Sequence, residues 1–293
     1  MKDLAAAGVQ FPPTACACLL IHGDRRYFEA GREAVRALLA RSDLEIFVAL
    51  GEGRGPRPPR SPRVRVERLP PLREKDDRAH RFLAKFAALE ACLQATRASH
   101  LVLLDADAVL VRPLRAEDVQ EALGDNPLAM VEQTGIRGSD MDRGRFLEHY
   151  VAHSLAFIAP DAPAPPLARF RFFNSGVVLM TRDEAGSILR WARERMEASG
   201  AHRVGSHMIA DQDYLQVWAN ALHPGRCREL DWTWNHCEHW DDPFPRAGAR
   251  FLHFSNFCEG PSRQSLARIR AARRGRSSRG GDLWRWLRVG ASS

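Results

Sequence analysis

The sequence predicts an α/β fold with a mostly parallel sheet. Two patterns carry that expectation. Ala15 to Ile21 (ACACLLI) and Leu44 to Leu50 (LEIFVAL) are short apolar runs, and between them Phe28, Val35, Leu38 and Leu39 recur at helical spacing. Strand, helix and strand in that order make a βαβ unit. In His100 to Leu114 (HLVLLDADAVLVRPL), Leu101, Val102, Leu103 and Leu104 form an unbroken apolar run. A strand shows such a run when both faces of its sheet are covered.

The other elements follow in order. His22-Gly23-Asp24 ends the first run, and the helix after it spans Tyr27 to Leu39. Gly51 to Arg63 is rich in Gly, Pro and Arg and is expected to be a mobile surface loop. Val64 to Leu69 suits a short strand, and the charged stretch Pro70 to Arg81 a loop. His80 to Thr96 suits a helix whose apolar stripe is Phe82, Phe86, Leu89 and Leu93, with Lys85 on the same helix. Ala116 to Leu123 and Leu128 to Val131 suit a short helix and a short strand. Gln133 to Arg145, with Gly135, Gly138 and Gly144 among polar residues, is expected to be a flexible loop over a site. Pro160 to Pro166 is a turn-rich link. In Phe172 to Thr181 (FFNSGVVLMT) an apolar strand is interrupted at Asn174-Ser175-Gly176. Gly within a strand pattern signals a bulge or a close approach to the backbone. Asp183 is placed to cap the helix that runs to Met196. Asp211-Gln212-Asp213 starts another helix with acids in its first turn. Cys227 to Trp234 and Arg250 to Phe254 suit late strands.

The 293 residues suffice for one large domain or two small ones. No apolar run reaches the roughly 18 residues of a spanning helix, and the N-terminus lacks the apolar core of a signal peptide. The six cysteines are scattered, some in apolar segments, as in a reduced cytosolic protein. From Arg263 onward there are nine Arg and one acid, Asp282, which accounts for the whole net charge of +7. This sets residues 1–262 apart from a basic, aromatic tail, 263–293. Leu266, Ile269, Leu283, Trp284, Trp286 and Leu287 interleave with its arginines. The tail is either a solvated basic arm or an anchor on an anionic membrane face. The second reading places the protein in the cytoplasm, peripheral to the inner membrane face. Nucleic acid is another anionic partner, but no recognised nucleic-acid-binding motif accompanies the tail.

Candidate chemistry centres on Asp105 and Asp107. Charges at the end of a buried strand are costly unless compensated, and a divalent cation takes carboxylate oxygens. Ligands of open α/β sheets gather outside the carboxyl ends of the strands. The competing reading is a turn whose side chains cap backbone N–H groups; the apolar runs on both sides argue against it. For Asp211, simple helix capping is an equal alternative. His253, inside FLHFSN, taken alone reads as a core histidine. Cys16 and Cys18 alternate on a strand and read as core. His236-Cys237-Glu238-His239 has no standard zinc spacing, and Trp232, Trp234 and Trp240 around it suggest packing. No phosphate-binding Gly-rich loop or Gly-x-Ser-x-Gly elbow occurs.

Taken in order, these segments resemble glycosyltransferase family 8, the glycogenin and bacterial lipopolysaccharide galactosyltransferase group. Asp24-x-x-Tyr27 with Gly31, Lys85 before the Asp-x-Asp, LLDADAVLV, FFNSGVVLM, Asp211-Gln212 and His253 in FLHFSN look like the family's motifs. The resemblance covers roughly residues 15 to 260. It implies a GT-A type, Rossmann-like nucleotide-diphospho-sugar transferase fold with a central mixed sheet, residues 1–262 being the catalytic domain. It implies a UDP-sugar donor, a hexosyl transfer that retains anomeric configuration, and Mn²⁺, or Mg²⁺ in its place, held by Asp105, Asp107 and His253. Two carboxylates with one imidazole suit Mn²⁺. Asp211 and Gln212 would act at the sugar. Ile21, His22, Tyr27, Lys85, Asp105, Ala106, Asn174 and Ser175 would bind the donor. The acceptor is left open among glycans, lipid-linked glycans, proteins and small molecules. The family's lysine after the late His is missing, and Arg263 is the first cation that follows. Met208 stands where family members often carry an acid. Readings of other kinds are an inactive nucleotide-binding or nucleic-acid-associated protein, and a nucleotidyltransferase.

Overall fold

The computed structural model describes residues 14–71, 78–133, 143–199, 203–204, 207–208, 210–237, 248–254 and 262–274. In chain order the first half contains β1 (Ala15–Ile21), α1 (Arg25–Arg41), β2 (Glu45–Leu50), β3 (Val64–Arg68), α2 (Arg78–Ala95), β4 (His100–Leu104), β5 (Ala108–Leu110), α3 (Ala116–Leu123) and β6 (Leu128–Glu132). Next come α4 (Arg143–Tyr150), α5 (Ala156–Ile158), β7 (Phe173–Thr181), α6 (Arg182–Ser199), β8 (Arg203–Val204), β9 (His207–Met208) and α7 (Asp211–Val217). The chain continues through β10 (Cys227–Leu230), β11 (His236–Cys237), β12 (Phe251–His253) and α8 (Arg263–Arg273).

Seven strands form the main sheet in the order β10-β6-β7-β4-β1-β2-β3. β4, β1, β2 and β3 run parallel, and β7 is antiparallel to both of its neighbours, β4 and β6. The sheet is therefore mixed, as in the GT-A type Rossmann-like fold. Side chains alternate along each strand, so both faces acquire a core. Ala17, Leu19, Ile21, Val102 and Leu104 join one cluster with α1. Cys16, Cys18, Leu101 and Leu103 join the other with α2 and α6. Cys16 and Cys18 are thus core residues, and Cys16, Cys18, Cys92, Cys227 and Cys237 are all free thiols.

α1 starts two residues before the expected Tyr27 because Asp24 caps it, accepting from the Arg26 N–H at 2.8 Å. α1 lies so close to β1 that a Cβ on Gly31 would stand 2.5 Å from Ile21 Cδ1. α2 already runs from Arg78, inside the stretch expected to be a loop. The Gly51–Arg63 segment is irregular, but it is anchored at its end by the Arg63 guanidinium, which donates to the carbonyls of Leu39, Ser42 and Leu44. The helical stretch 143–158 has no counterpart in the sequence reading. Its middle, Val151–Leu155, is a π-helical turn, which breaks the 3.6-residue period that marks a helix. Asp183 does not cap α6; Thr181 Oγ1 does, accepting from the Glu184 N–H at 3.3 Å. The late strand ends at Leu230, not Trp234, because Asp231 accepts from the Thr233 N–H and caps a 3₁₀ turn over Trp232–Trp234.

The first 11 residues of the basic segment form α8, which packs on α1. Leu266 and Ile269, grouped in sequence with a membrane-facing set, are instead buried in the core beside α1. Their helical spacing points them inward, and ion pairs lock the contact. Arg270 meets Glu29 at 2.7 Å, and Arg273 meets the buried Glu33, which also receives Arg36. Leu283, Trp284, Trp286 and Leu287 lie outside the described residues. Among the described residues no helix is long and apolar enough to cross a membrane. Ile269→Ala should lower the unfolding free energy in urea by about 2–4 kcal/mol, the usual cost of truncating a buried Ile. An unchanged midpoint would show that α8 does not belong to the core.

Candidate active site

The turn that follows β4 carries Asp105 and Asp107, and β5 leaves it as part of a second, three-stranded sheet, β11-β12-β5. β12 pairs antiparallel with β5, setting His253 opposite Ala108, and the Phe254 N–H donates to Asp107 O at 3.1 Å. This pairing carries a residue almost 150 positions downstream to the Asp-x-Asp. His253 Nε2 lies 3.4 Å from Asp105 Oδ2 and 3.5 Å from Asp107 Oδ1. The segment is a turn, as the competing reading held, with Ala108 N–H donating to Asp105 O. Its carboxylates, however, face Lys85 and His253 rather than capping the backbone. Ala106, between them, is buried in the apolar core and seats the turn.

Lys85 comes from α2 beneath the turn and is only 4% exposed. Its ammonium donates to Asp105 Oδ1 at 2.7 Å and to Ser175 O at 2.6 Å, and lies 3.2 Å from Asp211 Oδ2. Asp211 is the first residue of α7 and is buried. It is not the helix cap: Asp213 takes that task, accepting from the Ala210 N–H at 2.6 Å, while the Tyr150 hydroxyl donates to the other oxygen of Asp213. Gln212 Oε1 accepts from the Ser175 N–H at 3.1 Å, tying α7 to β7.

The Asn174-Ser175-Gly176 interruption is a bulge. β6 pairs Met130 with Val178 but Val131 with Asn174. Gly176 O accepts from the Asp105 N–H at 3.0 Å, and a Cβ on Gly176 would stand 2.2 Å from His253 Cε1. The close approach is therefore to the histidine ring. Asn174 is buried in a chain of amides: its Nδ2 donates to Gln133 Oε1, and its Oδ1 accepts from Gly176 N–H and Asn235 Nδ2. Asn235 was not singled out from sequence, where its only signal is an amide inside the Trp-rich run WTWNH. In the sequence Gln133 marks only the start of a loop, whose residues 134–142 lie outside the described ones. Glu238 and His239 of the considered zinc cluster lie outside them too.

Ile21 ends the neighbouring strand β1, His22 follows it, and Tyr27 lies in the first turn of α1. His22 Nδ1 accepts from the Glu52 N–H at 3.0 Å, so a neutral ring carries its proton on Nε2. The Tyr27 ring lies against Gly23, whose φ of 110° suits glycine.

The charges are strongly coupled. Burial works to raise the Asp105 pKa, but Lys85 and His253 hold its carboxyl well below the usual range. Burial, together with the Asp105 charge, raises Asp211 despite Lys85. Burial opposes the charge on Lys85, yet Asp105 and Asp211 raise its pKa further above the ordinary value. Burial likewise opposes charge on His253, but Cys237, Asp105 and Asp107 beside it raise its pKa well above that of free histidine. The two acids thus demand positive charge at the position of Nε2.

A cation fits that demand. Asp105, Asp107 and His253 each offer one donor atom, all within 4.8 Å of one another. Bonds of about 2.1 Å set neighbouring octahedral donors about 3 Å apart, close to the separations from Nε2. Carboxylate oxygens with one imidazole suit a divalent ion.

No protein-family model and no curated protein matches the chain. A solved structure described as an apo WbbM bifunctional glycosyltransferase is similar in fold, with a TM-score of 0.50 and 14% identity. The match covers 85% of this chain and 47% of that one, so the chain spans about half of that structure's length. The likeness extends to the fold.

Two substitutions test the arrangement. Gly176→Ala should push the His253 ring aside at a cost of about 1–3 kcal/mol, the range for overpacking, seen as an earlier urea midpoint. Lys85→Met leaves Asp211 buried without its cation. It should cost about 2–4 kcal/mol, somewhat below the range for breaking a fully buried pair because Asp105 is partly open to solvent. Wild-type stability in either variant would refute the packing described for it.

Proposed function

We propose that this chain is a divalent-cation-dependent glycosyltransferase. In this reading it takes a hexosyl group from a UDP-linked donor and retains anomeric configuration, as the resemblance to family 8 implies. The observation that carries the proposal is the Asp105, Asp107 and His253 cluster at the carboxyl edge of a GT-A type sheet. Those three side chains would hold Mn²⁺, or Mg²⁺ in its place. The bound ion supplies Lewis-acid charge for the diphosphate that leaves as the glycosidic bond breaks.

The remaining residues act on the donor. Ile21, His22 and Tyr27 border the place of the nucleoside, where Tyr27 offers a ring for stacking and His22 a donor at Nε2. Ala106 floors the site. Lys85 neutralises Asp105 and Asp211, so that both acids can stay buried beside a ligand that is itself anionic. Asp211 is buried with its Oδ2 3.2 Å from the Lys85 ammonium. A carboxylate has further lone pairs, so it is an acceptor for a sugar hydroxyl. Asn174, Ser175 and Gln212 fix the bulge on which the sugar would rest. Alignment of the reacting atoms by such fixed groups lowers the barrier by removing rotational freedom in advance.

The test is thermal denaturation with UDP, GDP and CMP, each with and without Mn²⁺. A ligand that binds only the native state raises its melting temperature. UDP should stabilise the protein only with Mn²⁺, and Asp107→Ala should abolish the shift while leaving a cooperative melt. Absence of any nucleotide shift in folded protein would reject the proposal. If an acceptor is found, proton NMR of the first-formed product should show the anomeric configuration of the donor; the opposite configuration would reject retention.

A further inference from the structure

A cleft of about 460 Å³ opens at the far edge of the main sheet. Its floor is apolar: Leu50 from β2, and Val64 and Val66 from β3. β3 is the outermost strand of the sheet, and the period of two sets Val64, Val66 and Arg68 on one face. Val66 is 41% exposed, one of only two large hydrophobic side chains so exposed among the described residues. Three guanidiniums surround this floor: Arg57, Arg60 and Arg68. Arg68 also donates to Gly51 O at 3.3 Å. Arg57 and Arg60 are exposed and pair with no acid among the described residues. None of the described residues that line the cleft is acidic. Pro58-Pro59 fixes φ at the two positions between Arg57 and Arg60 and so stiffens that stretch.

We infer that this cleft is a binding site for an aliphatic phosphate ester, separate from the acid-histidine cluster. Guanidinium forks match phosphate oxygens in pairs. A phosphate monoester offers three oxygens and up to two negative charges, enough to engage more than one arginine, where a single carboxylate offers one charge. The valine and leucine floor takes the hydrocarbon next to the phosphate, and no aromatic side chain lines the cleft to stack on a base. The volume lies within the usual range for small-molecule sites. β1 separates β2 from β4, so the cleft stands about 10 Å or more across the sheet from the acid-histidine cluster.

The experiment is calorimetric titration of the full chain with dihexanoyl phosphatidic acid, kept monomeric below its micellar concentration. Dihexanoyl phosphatidylcholine and inorganic phosphate serve as comparison ligands. The phosphatidate should bind at least tenfold more tightly than either. The Arg57→Ala/Arg60→Ala variant should lose at least tenfold in affinity with an unchanged melting temperature, since both side chains are exposed and unpaired. Asp107→Ala should bind as wild type does, which separates this site from the acid-histidine cluster. Equal binding by the double arginine variant would assign the ligand to another basic surface, such as the tail, and overturn the proposal. Equal affinity for inorganic phosphate would remove the apolar floor from the site and overturn it as well, and so would absence of binding.

Discussion

One buried ammonium holds the candidate site together. Lys85 is nearly inaccessible and touches three elements at once: the turn after β4 through Asp105, the bulge of β7 through Ser175 O, and the start of α7 through Asp211. Two carboxylates this close would repel each other, and a buried charge without a partner would be costly. Placing the cation between them turns a repulsion into a clamp. The positions of α2, β7 and α7 around the central strand are thus one electrostatic arrangement.

The same economy governs the histidine. The acids end a strand of the main sheet, while His253 arrives on a strand of the small one. Antiparallel pairing of β5 with β12 sets the register that brings Nε2 to both carboxylates. The backbone of Gly176 closes the other side of the ring, where a side chain would not fit. Backbone pairing, a glycine and two charges therefore aim one imidazole, so that the three donor atoms that could hold a cation are fixed in advance.

The edge of the sheet shows a different balance. α8 covers α1 and hides Leu266 and Ile269, with Glu29 and Glu33 of α1 neutralising part of its positive charge. No helix or strand of the described chain covers β3 in that way, so Val66 and the arginines around it stay accessible. Arginine is divided between holding the core together, as Arg63 and Arg273 do, and standing free at the rim, as Arg57 and Arg60 do.

Much of this was legible in the sequence. Unbroken apolar runs mark buried strands because both faces of the sheet must be covered, and a glycine in such a run marks a departure from regular pairing. The fold class, the positions of β1, β2, β4 and β7, and the acids at the end of β4 follow from those local rules. The helical stretch 143–158 did not, because a π turn erases its period. The split of roles between Asp211 and Asp213 did not, because both sit in a first helical turn and only their neighbours differ. Asn235 carried no motif at all. The basic segment misled for a related reason: Leu266 and Ile269 are spaced for any apolar surface, and the sequence does not say whether that surface is a membrane or α1. Local pattern determined which residues become strands and which strand ends in charge. Tertiary structure alone decided which charges meet, because Lys85, Asp105, Ser175, Asp211 and His253 are far apart in the chain and converge only when the sheet order is set.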